Sequence, residues 1–179
     1  MDDFLETYWP QAAPFADFVA SVGEKPDLWQ SYAKRARIHA DEQARLVALP
    51  ARRRILVLVE DWCGDAIRSV PTIDALGEAE SVEVRVLDTD KHPGALDGNL
   101  TRGARAIPIA LVFDDQGQRA GVWGPRPAPL QAALRAKIAA EGPPTPETKG
   151  EFYAPIMAWY AQDRGRTVAQ EMLMLLERG

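Results

Sequence analysis

The chain has 179 residues, about the length of one domain with room for an added helical element, and its 46% hydrophobic and 26% charged content is that of an ordinary globular protein. No apolar run is long enough to cross a membrane, and a net charge of −5 argues against nucleic acid as a partner. The opening MDDFLETYWP is acidic and no apolar segment with a small-residue cleavage site follows, so a cytoplasmic location is expected. A single cysteine excludes an internal disulfide, and with only His39 and His92 beside it no zinc-type ligand set and no cofactor are expected.

The first fifty residues read as helical. Phe4, Tyr8, Phe15, Phe18 and Val19 share one apolar face, broken by Pro10 and Pro14. A second helix is expected over residues 26–47, with Leu28, Trp29, Tyr32, Ala33 and Ile38 inward and Lys34, Arg35, Asp41 and Glu42 outward. The basic run ARRR, residues 51–54, reads as a solvated segment ahead of the next element. ILVLV, residues 55–59, is apolar throughout, as a central parallel strand covered on both faces should be.

A helix over residues 63–77 and a strand over 82–88 follow, with Val82, Val84 and Val86 on one side, giving a right-handed βαβ unit. After a short helix near residues 94–100 comes a hairpin, strands 109–113 and 119–123, around a turn containing Gly117. Residues 129–140 form an amphipathic helix with Leu130, Leu134 and Ile138 at four-residue spacing, and residues 141–150 a proline-rich linker. Phe152, Ile156, Trp159, Tyr160, Val168, Met172, Leu175 and Leu176 mark a last helical segment, with a break at Gly165, that is expected to pack on the N-terminal helices.

The chemistry concentrates in VEDWCGDA, residues 59–66, where Cys63 follows a strand and starts a helix. Unpaired backbone N–H groups and the helix dipole stabilise a thiolate there, which can bring a thiol from about 8.5 to roughly 7 or below. Glu60, Asp61 and Asp65 oppose thiolate formation if they face the sulfur, whereas Arg68 favours it and is spaced to pair with Asp65. Asp65 equally suits simple charge complementarity at a helix start. His92, in the loop after the second strand, is a weak candidate for proton transfer, and DTDKHPG lacks the glutamate a calcium loop needs.

VEDWCGDA, VRVLDTDKHPGAL and GARAIPIALVFDDQGQ, together with Gly124 after the hairpin, resemble the thioredoxin superfamily in order and spacing over residues 55–140. The resemblance implies an α/β thioredoxin-like fold, a central mixed sheet flanked by helices, extended by helices over residues 1–50 and 151–179 within one domain. It is nearest to a bacterial thioredoxin-like branch bearing Trp-Cys-Gly-Asp. It also implies a cis Ile107–Pro108 peptide against Cys63, with Trp62, Gly64, Asp65, Ile107 and Pro108 forming the substrate surface around the Cys63 nucleophile. Two departures matter. Ala66 stands where the family has its second, resolving cysteine, and Val57 where it has a buried aspartate serving that thiol. Dithiol reductase activity is therefore not expected.

Three readings remain. In the first, Cys63 is a monothiol oxidoreductase nucleophile that attacks a disulfide-bearing or oxidised protein and is resolved by a low-molecular-weight thiol. In the second, the same surface is a non-catalytic module that binds a partner protein. In the third, Cys63 is a small buried hydrophobe.

Overall fold

The structure, a computed structural model, describes residues 2–178. Its centre is β1 (Arg53–Val59), in which Ile55, Leu56, Val57, Leu58 and Val59 are all fully buried. A strand without a polar face needs cover on both sides and neighbours on both edges. Here β1 pairs in parallel with β2 (Val82–Asp88) and antiparallel with β3 (Ile109–Phe113), and β4 (Arg119–Trp123) completes the order β2-β1-β3-β4. The sheet is mixed and helices flank it, an α/β thioredoxin-like fold. The free edge of β2 is closed by the N-terminal segment, where the Ala13 and Val86 amides donate to each other's carbonyls at 2.9 and 2.8 Å.

α1 (Asp3–Tyr8) and α2 (Phe15–Ser21) are separated around Pro10 and Pro14, as the prolines require. The single helix expected over residues 26–47 is two, α3 (Pro26–Arg35) and α4 (Ala40–Val47). The chain is extended at Ala36 and restarts where the His39 amide donates to the Glu42 carboxylate at 2.9 Å. Glu42 is itself buried and pairs with Arg166 at 2.9 Å, so a local cap makes the break and a tertiary ion pair holds it.

α5 (Gly64–Ala75) carries the βα turn that begins with Cys63, and the segment expected to be a short helix near residue 94 is one 3-10 turn, Pro93–Leu96. α6 (Ala128–Glu141) follows the hairpin, and the last segment divides at Arg164 and Gly165, both left-handed, into α7 (Lys149–Asp163) and α8 (Arg166–Leu176). A side chain at Gly165, at φ 83°, would overlap the Thr72 hydroxyl, so glycine lets the corner close onto α5.

α8 meets the expectation of packing on N-terminal helices: it lies against α4, α5 and β4, with Arg45 paired to Glu177 at 2.7 Å. α7 does not. It packs on α6, where Leu130, Leu134, Phe152, Ile156 and Tyr160 form a second cluster apart from the sheet core. The basic run also differs from expectation. Arg53 is buried and its Nε donates to the Leu176 carbonyl at 2.8 Å, complementing the C-terminal end of α8. Among the described residues no helix is long and apolar enough to cross a membrane.

Candidate functional site

Cys63 is the N-cap of α5, in extended conformation (φ −74°, ψ 116°), so its sulfur lies beside the unpaired amides of the first helical turn. The side chain is only 6% exposed, and Sγ lies 3.6 Å from the Ile107 carbonyl oxygen, a geometry in which the thiol donates. Ile107–Pro108 is a cis peptide, as is Gly124–Pro125 on the next loop. Gly124 has φ 123°, and a Cβ there would overlap the Pro108 carbonyl, so glycine lets the two proline loops stack beside the sulfur.

The acids around Cys63 are spoken for. Glu60 accepts from the Thr89 hydroxyl at 2.8 Å, and the Asp61 carboxylate accepts from the Gly23 and Glu24 amides at 2.8 and 3.0 Å. The Asp61 carbonyl accepts from Trp29 Nε1 at 2.8 Å, which ties the active turn to α3. Asp65 is buried between the Tyr160 hydroxyl, 2.9 Å away, and the Arg126 guanidinium. The expected Asp65–Arg68 pair is not formed. Arg68 instead donates to the Gly64 carbonyl at 2.8 Å and lies over the Tyr32 ring, because α7 and the loop before α6 bring better partners to Asp65.

Burial pushes the Cys63 thiol up from its ordinary value, and the Asp65 charge adds to the rise. The Ala66 and Asp65 amides and Arg126 pull the other way without reversing it. A lowered thiol pKa, expected from the helix start, is thus overridden by depth. Burial also raises the Tyr160 phenol far above its usual range, so this hydroxyl stays a donor to Asp65.

A cleft of about 510 Å³ opens over the sulfur. Trp62, half exposed, Cys63, Gly64, Asp65 and Ile107 line it, bringing together five of the six residues singled out in the sequence; Pro108 lies buried behind Ile107. The rest of the wall was not anticipated: Lys25, Arg105, Arg126 and Lys149 supply four cations, and Tyr153 and Met157 an apolar side from α7. Arg105 pairs with Asp97, and Lys25 donates to the Trp62 carbonyl at 2.9 Å. Tyr160 was visible only as one member of an apolar stripe, its hydroxyl being the one hint of another task. Nothing in the sequence pointed to Arg126, whose loop carries no motif of its own. His92 does not line the cleft, and among the described residues no cluster of three or more His, Cys, Asp or Glu side chains is placed to hold a metal ion.

A strand-to-helix turn with a cysteine cap, facing a proline loop on a four-stranded mixed sheet, defines a thioredoxin-like protein. A family model described as Thioredoxin matches residues 12–140, most of the chain, and the protein belongs to that family. No curated protein matches it. Among solved structures it is similar to a protein of unknown function from Pseudomonas aeruginosa, at 18% identity and TM-score 0.68, covering 93% of this chain and 92% of that one. It is also similar to an HIV epitope scaffold, at 17% identity and TM-score 0.68, covering 99% of this chain and 97% of that one. These likenesses define the fold alone.

Proposed function

We propose that this protein is a monothiol thiol-disulfide oxidoreductase of the thioredoxin family, in a branch whose active turn is Trp-Cys-Gly-Asp, acting in the cytoplasm as one domain with its terminal helices. Cys63 is its nucleophile; Trp62, Gly64, Asp65, Ile107 and Pro108 form the surface that receives the substrate. The observation that carries this reading is Cys63 Sγ at 3.6 Å from the Ile107 carbonyl on the floor of an open cleft.

The resting thiol is protonated and loses its proton to solvent before attack, so reactivity rises with pH. The Cys63 thiolate attacks one sulfur of a substrate disulfide, forming a mixed disulfide and expelling the other sulfur as a thiolate, which takes up a proton. Ala66 offers no second thiol, so the adduct waits. An external low-molecular-weight thiol, as thiolate, attacks the substrate's sulfur, regenerates Cys63 and is itself oxidised into the new disulfide. With Lys25 and Lys149 on the wall in addition to the Arg105–Asp97 and Arg126–Asp65 pairs, the favoured external thiol is one carrying carboxylates.

Exposure to glutathione disulfide should yield protein carrying one glutathionyl group on Cys63, stable until excess thiol is added and absent from Cys63→Ser. A Cys63 that forms no adduct in the folded protein overturns the proposal. The second reading, a binding module without turnover, draws on the depth of the thiol and its raised pKa. It predicts that folded Cys63→Ser keeps whatever partner the wild type holds.

A further inference from the structure

A second cavity, of about 450 Å³, lies between α3, α5 and the α7–α8 corner and shares no lining residue with the cleft at Cys63. Arg35, Arg68 and Arg164 converge on it, beside Tyr32, Pro71 and Tyr160, and no acidic residue lines it. Arg45, Arg126 and Arg166, by contrast, each meet an acid: Glu177, Asp65 and Asp41. Here Arg35 and Arg68 both sit over the one Tyr32 ring, at 4.7 and 5.4 Å from its centre. Their hydrogen bonds go to the neutral carbonyls of Ser31, at 3.0 Å, and Gly64, at 2.8 Å, and among the described residues neither forms an ion pair. Arg68 Nε is buried with no hydrogen-bond partner among the described residues. Asp163, next to Arg164 in sequence, is turned to the Thr167 amide at 3.1 Å.

Three like charges lining one cavity repel one another, and a multiply charged oxyanion bound among them offsets that repulsion. The guanidinium fork fits phosphate oxygens two at a time, and a space of this size beside two phenol rings admits an organic group attached to them. The geometry points to a binding site for a small phosphate-bearing molecule, a phosphate ester or a diphosphate, held by Arg35, Arg68 and Arg164. Arg68 also holds the Gly64 carbonyl, so the site adjoins the first turn of α5 without belonging to the Cys63 cleft.

Calorimetric titration of the full chain with inorganic pyrophosphate and, separately, with adenosine monophosphate tests it; binding of both identifies the phosphate as the recognised group, and tighter binding of the ester assigns the space beside Tyr32 to the organic part. Arg35 and Arg164 are exposed, so Arg35→Gln and Arg164→Asn should fold, Asn tolerating the left-handed backbone at that corner. Each should weaken binding by about tenfold, the loss of one charge-assisted contact, and the double variant should abolish it. No saturable binding of either probe at millimolar concentration overturns the site. So does binding that survives the double variant, or that is lost in Lys149→Gln, since the ion would then occupy a different place, in the latter case the Cys63 cleft.

Discussion

The cluster under the sheet and the smaller one between α6 and α7 meet at the Asp65 carboxylate, and they differ in what they control. The first, built on β1, α5 and α8, fixes the depth of the Cys63 sulfur. The second holds up one wall of the cleft, where Lys149, Tyr153 and Met157 stand, and contributes the Tyr160 hydroxyl to Asp65. The sheet core is the ordinary support of a thioredoxin-like turn. The α6–α7 pair walls the approach to the sulfur and, by holding Asp65, adds a smaller contribution to the rise that burial imposes on the thiol.

The largest effect should come from the sheet side. Trp29 is fully buried, stands edge-on to Phe18 at 5.3 Å and donates to the Asp61 carbonyl. Trp29→Ala should cost about 3–5 kcal/mol in urea unfolding and loosen the turn that carries Cys63. Leu134→Ala, in the smaller cluster, should cost about 2–3 kcal/mol and speed Cys63 alkylation by loosening the wall. Unchanged alkylation there would detach the wall from the sulfur.

Asp65→Asn sharpens the contrast further. It removes the neighbouring charge that helps to raise the thiol, leaving Arg126 to favour the thiolate, so alkylation at neutral pH should quicken. In the wild type the rate should climb about tenfold per pH unit beyond neutrality, with no plateau below the ordinary thiol value of about 8.5. A raised folded pKa also means that stability is full below about 8.5 and declines as pH rises through the folded value, because the unfolded thiol ionises first.

The smallest effect belongs to the far end of α5. Burial, aided by the Glu78 charge, pushes Asp74 up to about 6. Between about pH 4, where the unfolded carboxyl ionises, and about pH 6, the folded state keeps its proton longer, so stability falls as pH rises. Asp74 is partly solvated, which discounts the cost to roughly 1 kcal/mol, and Asp74→Asn should remove this pH dependence.

The contrast between the two regions also marks where the sequence is legible. β1, β2, the hairpin and the turn at Cys63 are encoded in local apolar pattern and punctuation, and they fold as expected. The break in the helix expected over residues 26–47 is capped locally by Glu42 but held by its pairing with Arg166, and the burial of Arg53 is set by the end of α8, contacts between residues far apart in the chain. For the same reason Asp65 showed its nearest sequence partner, Arg68, and not Arg126 and Tyr160. The helix start at Cys63 is written in the sequence. Its depth is not, and depth sets the direction of the thiol's shift.

One buried thiol should carry a single exchange and then stop. This is tested most directly by mixing the reduced protein with excess chromogenic peptide disulfide, free of other thiols, and counting the thiol released. One equivalent per chain is expected, then no further release until an external thiol is added, and none at all from Cys63→Ser. Sustained release without added thiol, or none from the folded wild type, would contradict it.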